Sequence, residues 1–207
     1  MSVRVAVLAS KRASDLPAIV KAIESNELAA SIVGLISNVN DCGALEKARG
    51  FGIKDVYLPA KKGQPREEYD KELGKAIDSL DADLILLIGF MRILSPWFVK
   101  RYRYRVMNIH PSILPAFAGG MDQDVHQAVL EHGCKMTGCS LIFIDEGEDT
   151  GPIIIQKSVA VQEIDTPETL KEKVQALEQE ALIEGIKLFY EKRLKVEGRV
   201  VRILPKK

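Results

Sequence analysis

Asp83-Leu84-Ile85-Leu86-Leu87-Ile88-Gly89 runs without a polar interruption from an acidic start to a glycine stop. A strand with one wet face alternates apolar and polar residues. One that is apolar on both faces is covered from both sides, as in parallel sheets flanked by helices. Val3-Arg4-Val5-Ala6-Val7-Leu8-Ala9 and residues 32–37 repeat the signal, and a short strand is expected over residues 54–58. Helical patterns fall between them: residues 14–26, with Leu16, Ile19, Val20 and Ile23 on one face, then 44–51 and 66–80. This alternation predicts an α/β chain of Rossmann-like type, an open, mostly parallel twisted sheet with helices on both faces. Ligands of such sheets gather beyond the C-terminal strand ends, where Ser10, Gly89 and His110 stand.

After His110 the pattern changes. A loop rich in Pro, Gly and Ala leads to helical residues 125–132, then to strand-like runs at 138–145 and 152–161 joined by an acidic turn. These runs predict an antiparallel addition in the C-terminal half. Asp165-Thr166-Pro167-Glu168 starts a helix expected to reach about Lys192, because Pro and Glu suit a first turn. Residues 194–204 read as a hairpin around Glu197-Gly198. With no repeat or linker, and 46% of 207 residues hydrophobic, a single domain is expected.

Lys+Arg and Asp+Glu each number 29, a formal charge of zero. Nothing global therefore draws the chain to nucleic acid or an anionic membrane, and an anionic ligand needs a local site. Cys42, Cys134 and Cys139 are odd in number and lack zinc-type spacing, which fits a reducing cytoplasm. The apolar start is too short and β-branched for a signal peptide, and no run approaches bilayer length.

Chemistry enters at Met107-Asn108-Ile109-His110-Pro111-Ser112. Asn108 and His110 stand two apart, so on an extended backbone both side chains leave one face. Pro111 restricts His110 to extended geometry and ends the strand. A carboxamide able to grip a carbonyl oxygen thus neighbours an imidazole able to titrate near neutral pH. In Asp145-Glu146-Gly147-Glu148-Asp149-Thr150-Gly151-Pro152, a solvated turn accounts for most of the acidity. Asp149, however, comes just before the chain re-enters the sheet at Ile153. If it reaches the loop holding His110, a carboxylate stabilises the charged imidazole.

Three blocks, Gly89-Phe90-Met91-Arg92-Ile93-Leu94-Ser95, Asn108-Ile109-His110-Pro111-Ser112-Ile113-Leu114-Pro115 and Asp149-Thr150-Gly151-Pro152-Ile153-Ile154, together resemble the folate-dependent formyltransferases, most closely the branch that acts on glycinamide ribonucleotide. The resemblance runs over almost the whole chain. It implies one formyltransferase domain over residues 1–207, with residues 1–90 as the half that binds substrate phosphate and 91–207 as the folate-binding and catalytic half. It also implies transfer of the formyl group of 10-formyltetrahydrofolate, a co-substrate, to the amine of glycinamide ribonucleotide in purine synthesis, with no metal. Carried over by residue, Asn108 hydrogen-bonds the formyl oxygen, His110 stabilises the developing charge and helps move protons, and Asp149 favours the charged imidazole and positions a water. Met91, Arg92, Ile93 and Leu94 resemble one wall of the pterin cleft, and Ile144, Asp145 and Glu146 the opposite wall. Pro111 falls on the substrate side. Glu178, in Lys173-Val174-Gln175-Ala176-Leu177-Glu178, resembles a glutamate that contacts the substrate ribose and fits a solvated helical charge equally well.

The implied partners are small molecules, with neither nucleic acid nor membrane, in the cytoplasm; a homodimer stays open. The nearest competing reading keeps the folate and changes the acceptor to an amino sugar, another small amine, or water in a hydrolase. Length counts against the tRNA-directed relative with its extra C-terminal domain, and against the hydrolase with its N-terminal regulatory domain.

Three departures from the family pattern stand out. The family's glycine-rich Ser-Gly-x-Gly-Ser-Asn-Leu turn holds the substrate phosphate on main-chain amides; here it reads Ser10-Lys11-Arg12-Ala13-Ser14-Asp15-Leu16, without either glycine. Lys11 and Arg12 add charge for a phosphate, Ser14 is expected as helix cap or ligand, and any glycine that held positive φ has become a residue less suited to it. The loop after Pro115, through Met121-Asp122 to His126, is longer than the family's, and His126 reads either as a substrate contact or as a partly exposed helical residue. Ile142 stands where the family carries a histidine.

Overall fold

The computed structural model of the chain describes residues 2–120 and 123–206. Residues 121 and 122 of the long loop lie outside the described residues. Two compact units emerge, Met1–Asn108 with Ile144–Glu146, and Ile109–Phe143 with Gly147–Lys207.

The first unit contains β1 (Val3–Leu8), α1 (Leu16–Glu24), β2 (Ala30–Ser37), α2 (Gly43–Gly50), β3 (Asp55–Tyr57), α3 (Arg66–Ser79), β4 (Leu84–Leu87), α4 (Pro96–Arg101) and most of β5 (Val106–His110). Its strands are all parallel, in the order β3-β2-β1-β4-β5, with Val5 opposite both Ile32 and Leu84, and Leu87 opposite Asn108. The order reverses between β1 and β4, so the chain leaves those two strands toward opposite edges. This opens a crevice at their carboxyl ends. One face of the sheet, through Ala6, Leu8, Ile36, Ile85, Leu87 and Val106, packs on Tyr69, Leu73 and Ile77 of α3 and Phe98 of α4. Alternate residues Val5, Val7, Leu35, Leu84 and Leu86 are fully buried on the other side, and α1 and α2 pack against β2. The doubly covered parallel sheet is the one that the unbroken apolar run predicts.

The sequence reading assigns no element to α4, yet its start carries a cap signature: Pro96 occupies the first turn, and the Ser95 hydroxyl accepts from the Phe98 amide at 3.4 Å. Ser14 is not the cap of α1. Asp15 holds the cap position and the helix begins at Leu16, one turn position later than expected, because Ala13 bends the chain first.

The second unit holds α5 (Gln123–Glu131), β6 (Met136–Phe143), β7 (Ile153–Ala160), α6 (Pro167–Tyr190), β8 (Leu194–Glu197) and β9 (Val200–Ile203). β6 and β7 pair antiparallel, as expected, with a bulge between Leu141 and Ile142. β9 joins β7 in parallel and β8 closes the hairpin. α6 runs 24 residues from a capping box at Thr166, and its Leu170, Val174, Ala181, Leu182 and Ile186 form the buried stripe. Val125 and Val129 of α5 meet Leu170 in a small core that Phe117 and Val161 border. No helix among the described residues is long and apolar enough to cross a membrane.

Candidate active site

His110 ends β5 and is 4% exposed. Its Nδ1 lies 3.1 Å from Oδ2 of Asp149, the carboxylate anticipated as its partner. Its Nε2 lies 3.0 Å from the carbonyl oxygen of Phe117. Both ring nitrogens thus face acceptors. A doubly protonated imidazole satisfies both, whereas either neutral tautomer satisfies one. Asp149 is presented from a left-handed backbone, φ +53°, and its Oδ2 also accepts the amide of Gly119 at 3.0 Å. Phe117 and Gly119 are two residues apart, so one short stretch of main chain accepts from the imidazole and donates to its carboxylate. Phe117 itself stands at φ +57°, an unfavourable region for a bulky side chain. Such strain persists where the surroundings over-determine it, as they do here.

The loop after His110 is fixed by a second set of groups, in which Ser112, Leu114 and Ser140 are buried. The Ser140 hydroxyl donates to the Ser112 carbonyl at 2.7 Å and accepts from the Leu114 amide at 3.0 Å. The Gln156 carboxamide donates to that hydroxyl at 2.9 Å and to the Leu114 carbonyl at 3.0 Å. Pro111 enters this loop half-buried. None of these partners was legible beforehand, since the sequence separations are long and Ser and Gln occur anywhere on a surface.

Asn108 lies on the same strand two residues earlier, paired with Leu87 of β4. At the crevice of the first unit, the Ser10 hydroxyl ties three loops together: it donates to Asn38 at 2.6 Å and accepts the Met91 amide at 2.8 Å, while the Ser10 amide donates to the Gly89 carbonyl at 2.9 Å. Lys11, Arg12 and Ser14 are exposed and Ala13 is buried. Ala13 takes φ +43°, the conformation that the missing glycine suited, at a cost of about 1–2 kcal/mol for an L residue.

Beyond Gly89 the chain presents Met91 and Ile93, 39% and 50% exposed, while Leu94 turns inward. Arg92 folds its guanidinium 4.1 Å above the Tyr69 ring, so its charge serves the interior and its backbone remains for a ligand. Ile144 packs, with Phe90, against the core cluster that contains Leu94. Asp145 is half-buried beside it and Glu146 is exposed. Apolar side chains left uncovered beside loop main chain suit a flat heterocycle that needs both stacking and backbone hydrogen bonds. Glu178 lies half-buried on α6.

Two departures acquire a physical meaning. Ile142 is 1% exposed and sits opposite Ile153, so that position has become core. His126 is 1% exposed on α5, which corrects the expectation of a partly exposed helical residue; the helix turns it inward next to Val125 and Val129. Among the described residues, no group of three or more His, Cys, Asp or Glu is arranged to hold a metal.

Comparison with known proteins agrees with this arrangement. The formyl transferase family profile matches residues 3–186. Phosphoribosylglycinamide formyltransferase of Escherichia coli (strain K12) is 38% identical over 192 residues, covering 93% of this chain and 89% of that protein. The trifunctional purine biosynthetic protein adenosine-3 of Gallus gallus is 38% identical over 186 residues, 90% of this chain, and the chain spans 18% of that relative's length. The crystal structure of glycinamide ribonucleotide transformylase 1 from Symbiobacterium toebii superposes with a TM-score of 0.93 at 36% identity, over 99% of this chain and 95% of that one. This chain belongs to the formyl transferase family, among the phosphoribosylglycinamide formyltransferases.

Proposed function

We propose that the chain transfers the formyl group of 10-formyltetrahydrofolate to the amine of glycinamide ribonucleotide, and that residues 1–207 act as one formyltransferase domain, 1–90 serving the phosphate and 91–207 the folate and the chemistry. The buried contact between His110 and Asp149, at 3.1 Å, carries the reading. The folate supplies an activated formyl carbon. As the amine nitrogen bonds to that carbon, the carbonyl electron pair moves to oxygen. The Asn108 carboxamide donates to this oxygen, and His110, oriented through Nδ1 by Asp149, donates from Nε2. To do so, Nε2 exchanges the Phe117 carbonyl for the oxyanion. A proton then passes from the attacking amine to the departing folate nitrogen through a water positioned by Asp149, the carbon–nitrogen bond to folate breaks, and tetrahydrofolate leaves.

Met91 and Ile93 cover the pterin, with Ile144, Asp145 and Glu146 as the facing wall. Ser10, Lys11, Arg12, Ala13 and Ser14 hold the phosphate, and Pro111 and Glu178 contact the rest of the ribonucleotide. The reading takes small molecules as partners, without nucleic acid or membrane, and the cytoplasm as its location. It is supported by the identity to phosphoribosylglycinamide formyltransferase along nearly the full length of that protein.

Release of tetrahydrofolate from 10-formyltetrahydrofolate, followed with and without glycinamide ribonucleotide, tests it. Release that depends on the ribonucleotide is the expected result. Equal release without it makes the protein a hydrolase, and release only with an amino sugar changes the acceptor.

A further inference from the structure

The first loop lacks the glycines of its relatives, yet Ala13 keeps left-handed geometry. Something outside the loop has to hold it there. Two neighbouring carbonyls of the loop are anchored on α2: Lys11 accepts from the Ala44 amide at 3.0 Å, and Arg12, the residue directly before Ala13, accepts from the Lys47 ammonium at 2.6 Å. The second anchor is the only one of the two made by a side chain. In a planar trans peptide the carbonyl and the following N–H point in opposite directions. A cation that fixes the Arg12 carbonyl toward α2 therefore aims the Ala13 amide away from α2, out of the loop.

We propose that Lys47 is a positioning residue for the substrate's phosphate: its ammonium sets the peptide plane between Arg12 and Ala13, so that the Ala13 amide faces a phosphate oxygen without help from glycine. The proposal rests on the assignment of residues 10–14 to the phosphate. The Lys47 ammonium that donates to the Arg12 carbonyl also feels the charge of Asp15. Burial and the Arg12 guanidinium lower its pKa, against the opposing effect of Asp15. Its ammonium is thus committed to the protein, while Lys11 and Arg12 are exposed for the ligand. The substrate class that such a loop takes is a phosphomonoester, recognised by main-chain amides and two exposed cations.

Lys47→Met, Lys47→Arg and the double variant Lys47→Met with Ala13→Gly test it, with inorganic phosphate as the probe. In Lys47→Met, the KM for glycinamide ribonucleotide and the inhibition constant of phosphate against it should both rise by roughly tenfold, the scale of one charged hydrogen bond, while the KM for 10-formyltetrahydrofolate stays. Lys47→Arg, which keeps a donor and a charge, should recover most of the loss. Adding Ala13→Gly to Lys47→Met should also recover it, since glycine adopts the left-handed conformation without an anchor. A rise that glycine fails to rescue makes the ammonium a direct phosphate contact and overturns the positioning role, as does an unchanged KM. If phosphate does not compete with the ribonucleotide in the unaltered protein, the loop assignment itself falls, and the proposal with it.

Discussion

At the scale of single residues, the site depends on groups that are costly to bury alone. Removing the ring in His110→Ala should lower kcat on the order of a hundredfold or more, the usual loss when a donor to a developing oxyanion is removed, and Asp149→Asn, which takes the carboxylate from that ring, should also lower kcat strongly. Circular dichroism should show the fold retained, and near-normal turnover in either variant would take that residue out of the mechanism. Gly119→Ala tests the main-chain brace. Its φ of +74° makes a side chain strained, and the new Cβ would sit 3.6 Å from the Glu148 carboxyl carbon. Shifting the Gly119 amide off Asp149 should reduce kcat while the fold loses only about 1 kcal/mol, read by urea denaturation. Lys11 and Arg12 contribute charge rather than shape, so neutral replacements should raise the KM for the ribonucleotide and leave the formyl-folate KM alone.

Elements hold these residues by means of different legibility. The capping box of α6 could be read in advance as a helix start at Thr166 and Pro167, although the reciprocal partner is Thr169 rather than an acid. Thr166→Ala should cost about 1 kcal/mol in chemical denaturation, because one amide loses its acceptor. α4 carries an equally plain start signal at Ser95 and Pro96, but its six residues are too few for a helical period to show. Gly138 had no signal at all. A Cβ there would fall 1.8 Å from the Lys157 carbonyl of the paired strand, so β6 and β7 approach too closely for any side chain. Gly138→Ala should destabilise by about 3 kcal/mol or more, or force β7 to shift, and a thermal melt will show it.

For the molecule as a whole, buried phenols contribute to pH resistance on the alkaline side. Tyr69 is fully buried with its hydroxyl donating to the Leu58 carbonyl, and burial pushes its pKa up to about 12. A phenol whose folded pKa lies above its unfolded value of 10.0 gives stability that is complete below pH 10 and is lost as pH rises toward 12. Tyr69→Phe should flatten the fall in stability across that window. Part of the slope left over belongs to Tyr102, whose pKa burial also raises, and part to Lys157 and Lys195, whose pKa values are raised by hydrogen bonds to Glu184 and Glu197. The arrangement of strands and helices was determined by the sequence itself, because covered strands and amphipathic helices are local patterns of apolar spacing. The blocks around Asn108, His110 and Asp149 were equally visible, since residue types in fixed order need no third dimension. Tertiary structure alone decided what those residues touch. The Phe117 carbonyl on His110, the Gly119 amide on Asp149 and the Lys47 ammonium on the Arg12 carbonyl are contacts with main chain, which every residue carries alike. Main-chain partners leave no mark in a sequence, so only the folded chain can name them.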